Sequence, residues 1–154
     1  MGIRYFAKAV TADRVERARH DPMYSVCCCP DEDYWDERTS PVPTLDLDKA
    51  WREIQSLLGC GRGWAGDRAE VRPAAELVRG YSNGMDTYRR LLAPDEVEHA
   101  ASDLELFFQQ TGRTPLDDDT LSSDFDYVET HLDRARRFAS GLAGTGLWVY
   151  YSIG

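Results

Sequence analysis

Apolar residues recur along this chain with two periods. Ile3 to Val10 alternates: Ile3, Tyr5, Ala7 and Ala9 share one face, and Arg4, Phe6, Lys8 and Val10 the other, the period of a strand. Leu147 to Ile153 alternates in the same way, with Leu147, Val149, Tyr151 and Ile153 against Trp148, Tyr150 and Ser152. Both of its faces are apolar enough for a strand covered on two sides. Thr87 to Leu92 reads as a further short strand.

Three stripes follow the helical period instead. Leu47, Ala50, Trp51, Ile54, Leu57 and Leu58 fall on one face, predicting a helix opened by Asp46 as N-cap, with Asp48 near its positive end and Gly59 as a left-handed cap. Trp51 lies on that stripe, and its indole N–H requires a partner once buried. Pro94 opens a second helix, with Asp95 and Glu96 in its first turn, Val97, Ala100, Ala101, Leu104, Phe107 and Phe108 as its stripe, and Gly112 as its stop. Ser123 and Asp126 resemble a capping box ahead of a third stripe, Phe125, Val128, Leu132, Ala135, Ala139 and Leu142, closed by Gly144 and Gly146. Two short helices are expected as well, one over Asp13 to Arg19 capped by Thr11 and ended by Pro22, the other from Pro73 through Val78 ended by Gly80.

These periods predict an α+β domain spanning residues 1–154. The N- and C-terminal strands share a small sheet, on which three main amphipathic helices bury their stripes. Asp21 to Thr44 is the least regular stretch, with Pro22, Pro30, Pro41, Pro43, the run Cys27-Cys28-Cys29 and the segment Asp31 to Glu37. It reads as a long loop, and loops of this length in compact domains often carry function. Cys60 to Arg72 is Gly-rich and irregular, and Asn83-Gly84 is a turn signal.

Charge narrows the function classes. Lys and Arg number 18 against 27 Asp and Glu, a net charge of -9. Neutralising phosphates requires a basic face, so this balance argues against a nucleic-acid binder and against docking on anionic lipid. An acidic surface suits solubility, and it also suits a basic protein partner. The opening residues alternate and include Arg4 and Lys8, unlike a signal-peptide core, and no apolar run reaches membrane-spanning length. The expected compartment is the cytoplasm, where the four cysteines would stay reduced.

Several segments resemble a known family. Met1-Gly2-Ile3-Arg4-Tyr5-Phe6-Ala7, Leu45-Asp46-Leu47-Asp48-Lys49-Ala50-Trp51, Ala93-Pro94-Asp95-Glu96-Val97 and the closing Val149-Tyr150-Tyr151-Ser152-Ile153-Gly154 are similar to landmarks of the YfbM-like family of uncharacterised bacterial proteins. The resemblance spans nearly the whole chain and is most specific at the Asp-Leu-Asp-Lys-Ala-Trp segment. It implies an α+β fold and a bacterial cytoplasmic protein, and it implies no activity. The three-cysteine run and the acidic segment after it depart from the family pattern.

The chain shows no motif for catalysis, a metal or a cofactor. Cys27 and Cys29 leave one residue between them, Cys60 is alone, and no second pair completes a zinc spacing with His20. Asp31 to Asp33 and Asp117 to Asp119 lack an EF-hand pattern, and Gly59, Gly61, Gly63 and Gly66 lack the Lys-Ser/Thr of a phosphate loop. His20, His99 and His131 have no partner at a diagnostic spacing, so no catalytic residue, metal or cofactor is expected. The candidate ligand-binding residues are Tyr24, Tyr34, Trp35 and Trp64, aromatics in polar irregular segments, together with Asp46 and Asp48. The leading reading is a non-catalytic binding or interaction protein with an acidic surface. The alternative is a small enzyme or small-molecule sensor whose pocket draws on Asp46, Asp48, Tyr81 or His131. A third is a domain that acts through oligomerisation alone.

Overall fold

The computed structural model describes residues 2–20, 42–59, 72–82, 84–111 and 124–154. Tyr24, Cys27 to Cys29, Asp31 to Glu37, Cys60, Trp64, Asp117 to Asp119 and Ser123 lie outside the described residues. The elements in chain order are β1 (Tyr5–Val10), a 3-10 turn (Ala12–Arg14), α1 (Val15–His20), β2 (Thr44–Asp48) and α2 (Trp51–Leu57). A second 3-10 turn (Pro73–Leu77), β3 (Tyr88–Leu92), α3 (Pro94–Thr111), α4 (Asp124–Leu142) and β4 (Trp148–Ile153) complete the order.

The terminal strands are neighbours, as their alternation requires. The sheet order is β2-β1-β4-β3 with every pairing antiparallel. Tyr5 sits opposite Ile153 and Val10 opposite Trp148. Arg4 and Gly154 exchange backbone hydrogen bonds at 3.0 Å beyond the ladder. The sheet therefore has the α+β arrangement that the two periods imply.

One element was misplaced from sequence. Asp46 does not cap a helix. It lies in β2 opposite Phe6, and α2 begins only at Trp51 behind Ala50, which makes no side-chain cap bond. Asp48, expected to favour the dipole of that helix, closes the strand instead. Leu45 and Leu47 are both buried, so the alternation Leu45-Asp46-Leu47-Asp48 dictates the strand. A tight turn then brings Ala50 and Trp51 into the same core, and from sequence this mimics one helical stripe. Thr11 likewise makes no side-chain cap bond, and the first helix starts as a 3-10 turn.

The core side of the sheet carries Tyr5, Ala7, Leu45, Leu47, Val149, Tyr151 and Ile153, packed with the stripes of α2, α3 and α4. The other side carries a smaller cluster, where Val15 and Ala18 of α1 cover Val10 and Tyr150. β4 is thus apolar on both faces because it is central and covered twice.

Three polar devices tie the layers together. The Arg136 guanidinium on α4 reaches Glu105 of α3 at 3.0 Å and Asp133 at 2.7 Å, and lies 5.2 Å over the Phe108 ring. The Tyr5 hydroxyl donates to Leu77 O at 2.7 Å, and the Gln55 amide donates to Val78 O and to Gly80 O, pinning the chain after the second 3-10 turn. Gly80 takes φ +129, and a Cβ there would strike the Tyr88 ring, so only glycine fits.

Asp103 of α3 holds the third device. Its carboxylate accepts from Arg72 Nε at 3.1 Å, Arg72 Nη2 at 2.9 Å and the Ala74 N–H at 3.1 Å. Partial burial pushes its pKa up, but the Arg72 side chain and the Ala74 amide outweigh that and hold it below its usual 3.8. A depressed carboxylate pKa means stabilisation that is whole above the unfolded value and is lost as pH falls through the folded one. Asp103→Asn should cost about 1 kcal/mol at neutral pH. It should also flatten the fall of urea-unfolding stability between neutral and strongly acidic pH, relative to the parent chain.

Candidate functional site

The end of β2 is shaped by a bulge. Tyr5 pairs with Asp48 and Phe6 with Asp46, leaving Leu47 as the extra residue. Asp48 then adopts φ 44, a left-handed conformation that short polar side chains tolerate best. Its N–H donates to Asp46 Oδ1 at 2.7 Å, and the Ala50 N–H closes the turn on Leu47 O at 2.9 Å. The bulge and turn fix both aspartates at one corner of the molecule, beside the first turns of α4.

α4 supplies Tyr127 and His131, four residues apart and hence on one helix face. The Tyr127 hydroxyl donates to Asp48 Oδ2 at 2.9 Å. Arg4 Nε pairs with Asp48 Oδ1 at 3.2 Å. The Tyr127 and His131 rings are 4.3 Å apart between centroids. His131 is buried, and its Nδ1 lies 2.8 Å from Tyr127 O. A carbonyl only accepts, so Nδ1 carries the proton in that bond.

The corner sets a phenol donor beside two carboxylates. Desolvation, followed by the Asp48 carboxylate, pushes the Tyr127 phenol above its ordinary value, so it stays a protonated donor. Asp48 is engaged by Arg4 and Tyr127 together, whereas Asp46 is exposed. Tyr127 as a residue is 39% exposed while its hydroxyl is held on Asp48. An exposed, pre-oriented aromatic face beside a carboxylate can receive a guanidinium or ammonium group by cation–π and charge-assisted contact. On the outer side of α4, Phe108, Asp126, Glu129, Thr130, Asp133, Arg134 and Arg137 line an open groove of about 670 Å³.

The structure sets Asp46 and Asp48 at one corner, links His131 to it through Tyr127, and leaves Tyr81 exposed on the connection ahead of β3. Tyr24, Tyr34, Trp35 and Trp64, expected as aromatic anchors, lie outside the described residues. His20 and His99 are exposed, and His20 pairs with Glu16 at 3.3 Å. Among the described residues no group of three or more His, Cys, Asp or Glu is placed to hold a metal ion. Nor is any described helix long and apolar enough to cross a membrane. Tyr127 was missed from sequence. Its signal was an aromatic next to the α4 stripe rather than on it, four residues before a histidine.

No family model matches the chain, and no curated protein matches it. Among solved structures, the crystal structure of YfbM from Escherichia coli, a protein of unknown function, is similar over 99% of this chain and 100% of that one. The TM-score is 0.58 at 17% identity, which shows a shared fold.

Proposed function

We propose that the chain is a YfbM-like cytoplasmic bacterial protein that acts by non-catalytic binding. In this reading the corner formed by Asp46, Asp48 and Tyr127 receives a cationic side chain of a basic protein partner. The observation that carries the reading is the exposed Tyr127, with its hydroxyl held on Asp48 and the Asp46 carboxylate beside it. Two further features support it: a net charge of -9, and the run of Asp126, Glu129 and Asp133 along the neighbouring groove. The likeness in fold to YfbM and the Asp46-Leu47-Asp48-Lys49-Ala50-Trp51 segment support the family placement.

The reading predicts a partner captured from lysate at low salt and released as salt rises, because exposed charges are screened within about a Debye length. Tyr127→Ala combined with Asp46→Asn should lose that capture. Capture that persists in the double variant, or that is insensitive to salt, would contradict the assignment.

A further inference from the structure

The sheet edge at β3, across from β2 in the strand order, carries a cleft of the other sign. Arg19 and His20 at the end of α1, Arg89, Arg90 and Leu91 of β3, and Ala18 and Tyr150 line a cavity of about 320 Å³. Its base follows from the sheet register, where Leu91 sits opposite Tyr150 on the face away from the main core. Its rim is cationic, in a chain where acids outnumber bases 27 to 18.

Among the described residues the local charges do not cancel. Arg90 is committed to Glu76 and to Glu96 on the core side of the sheet. Glu16 is one carboxylate shared between Arg19 at 3.0 Å and His20 at 3.3 Å. Arg89 has no acidic partner among the described residues, although it lies two residues along β3 from the cleft base. Among the described residues, Arg19 and Arg89 thus line the cavity with a single carboxylate, Glu16, paired to either.

We propose that this cleft binds a small phosphate-bearing polyanion, with Arg89 and Arg19 as its charge-assisted donors and Tyr150 and Leu91 as the apolar floor. Two guanidinium groups lining one cavity from separate elements suit the several oxygens of such a ligand. The volume stands at the small end of ligand clefts, roughly 300–1,000 Å³. The proposal is independent of the acidic corner, with which it shares no residue.

Pyrophosphate is the probe, titrated into the whole chain at constant ionic strength and followed by amide shifts and calorimetry. Saturable binding should perturb residues 18–20, 89–91 and 150. Arg89→Gln should weaken it about tenfold or more, as expected for losing one charged hydrogen bond. Glu16→Gln should tighten it by releasing Arg19. Arg52→Gln, which removes the same charge from α2, should leave the affinity unchanged. Citrate in a parallel titration separates phosphate from carboxylate recognition, and a stronger citrate response would overturn the phosphate assignment. Equal losses in Arg89→Gln and Arg52→Gln, shifts spread over all basic residues, or binding only by an acidic peptide would overturn the site.

Discussion

Trp51→Ala should destabilise the protein by about 3–5 kcal/mol, the range for truncating a fully buried large aromatic. Trp51 is 1% exposed at the start of α2, packed among Ala50, Ile54 and the core faces of β1 and β2. Its indole N–H donates to Ile3 O at 3.3 Å, anchoring the chain just before β1. The variant therefore leaves a cavity and one unpaired carbonyl, and both effects act in the same direction. Urea unfolding should show the loss as a lower midpoint at an unchanged slope. Trp51→Phe, which keeps most of the volume and loses the donor, should cost distinctly less. A Trp51→Ala chain within 1 kcal/mol of the parent, a limit about a third of the smallest loss expected here, would contradict this packing.

Tyr151→Phe is the second large effect, at roughly 1–3 kcal/mol for the removal of one oxygen atom. The Tyr151 hydroxyl serves Arg79 O at 2.5 Å and Glu76 O at 3.1 Å, at the turn between the second 3-10 segment and Gly80. Phenylalanine keeps the stack on Tyr5, whose ring centroid is 5.3 Å away, but leaves two carbonyls without that donor. Alkaline pH provides an independent reading. Burial raises the pKa of both Tyr5 and Tyr151 far above the ordinary 10.0, and their mutual proximity adds to the shift at Tyr151. A raised phenol pKa gives stability that is whole below pH 10 and declines as pH rises, because only the unfolded chain can ionise. The parent should lose stability steeply above pH 10, and Tyr151→Phe should lose less of it there.

Much of this architecture was legible because burial sets period. The alternation of Tyr5, Ala7 and Ala9, and of Val149, Tyr151 and Ile153, marks the central strands, whose core-side residues are buried. Val97, Ala100, Ala101 and Leu104 mark α3 in the same way. β2 was hidden because a bulge and a tight turn join its two core leucines to Ala50 and Trp51, and that sum imitates a helical stripe. Local pattern cannot distinguish the two, since a strand followed by a turn returns the chain to the same face. Tyr127 was unreadable for a different reason. It matters through Asp48, 79 positions away, and only the packing of α4 on β2 reveals that neighbour. The cationic cleft depends equally on the antiparallel placement of β3 beside β4, which one sequence does not specify.

The central claim is that the Asp46–Asp48–Tyr127 corner receives a basic partner, and amide shift mapping of the whole chain with an arginine-rich peptide at low salt tests it most directly. Shifts should concentrate at residues 46–49 and 126–131, and Tyr127→Ala with Asp46→Asn should abolish them while the fold is retained. Shifts spread evenly over the acidic surface, or unchanged in that double variant, would contradict it.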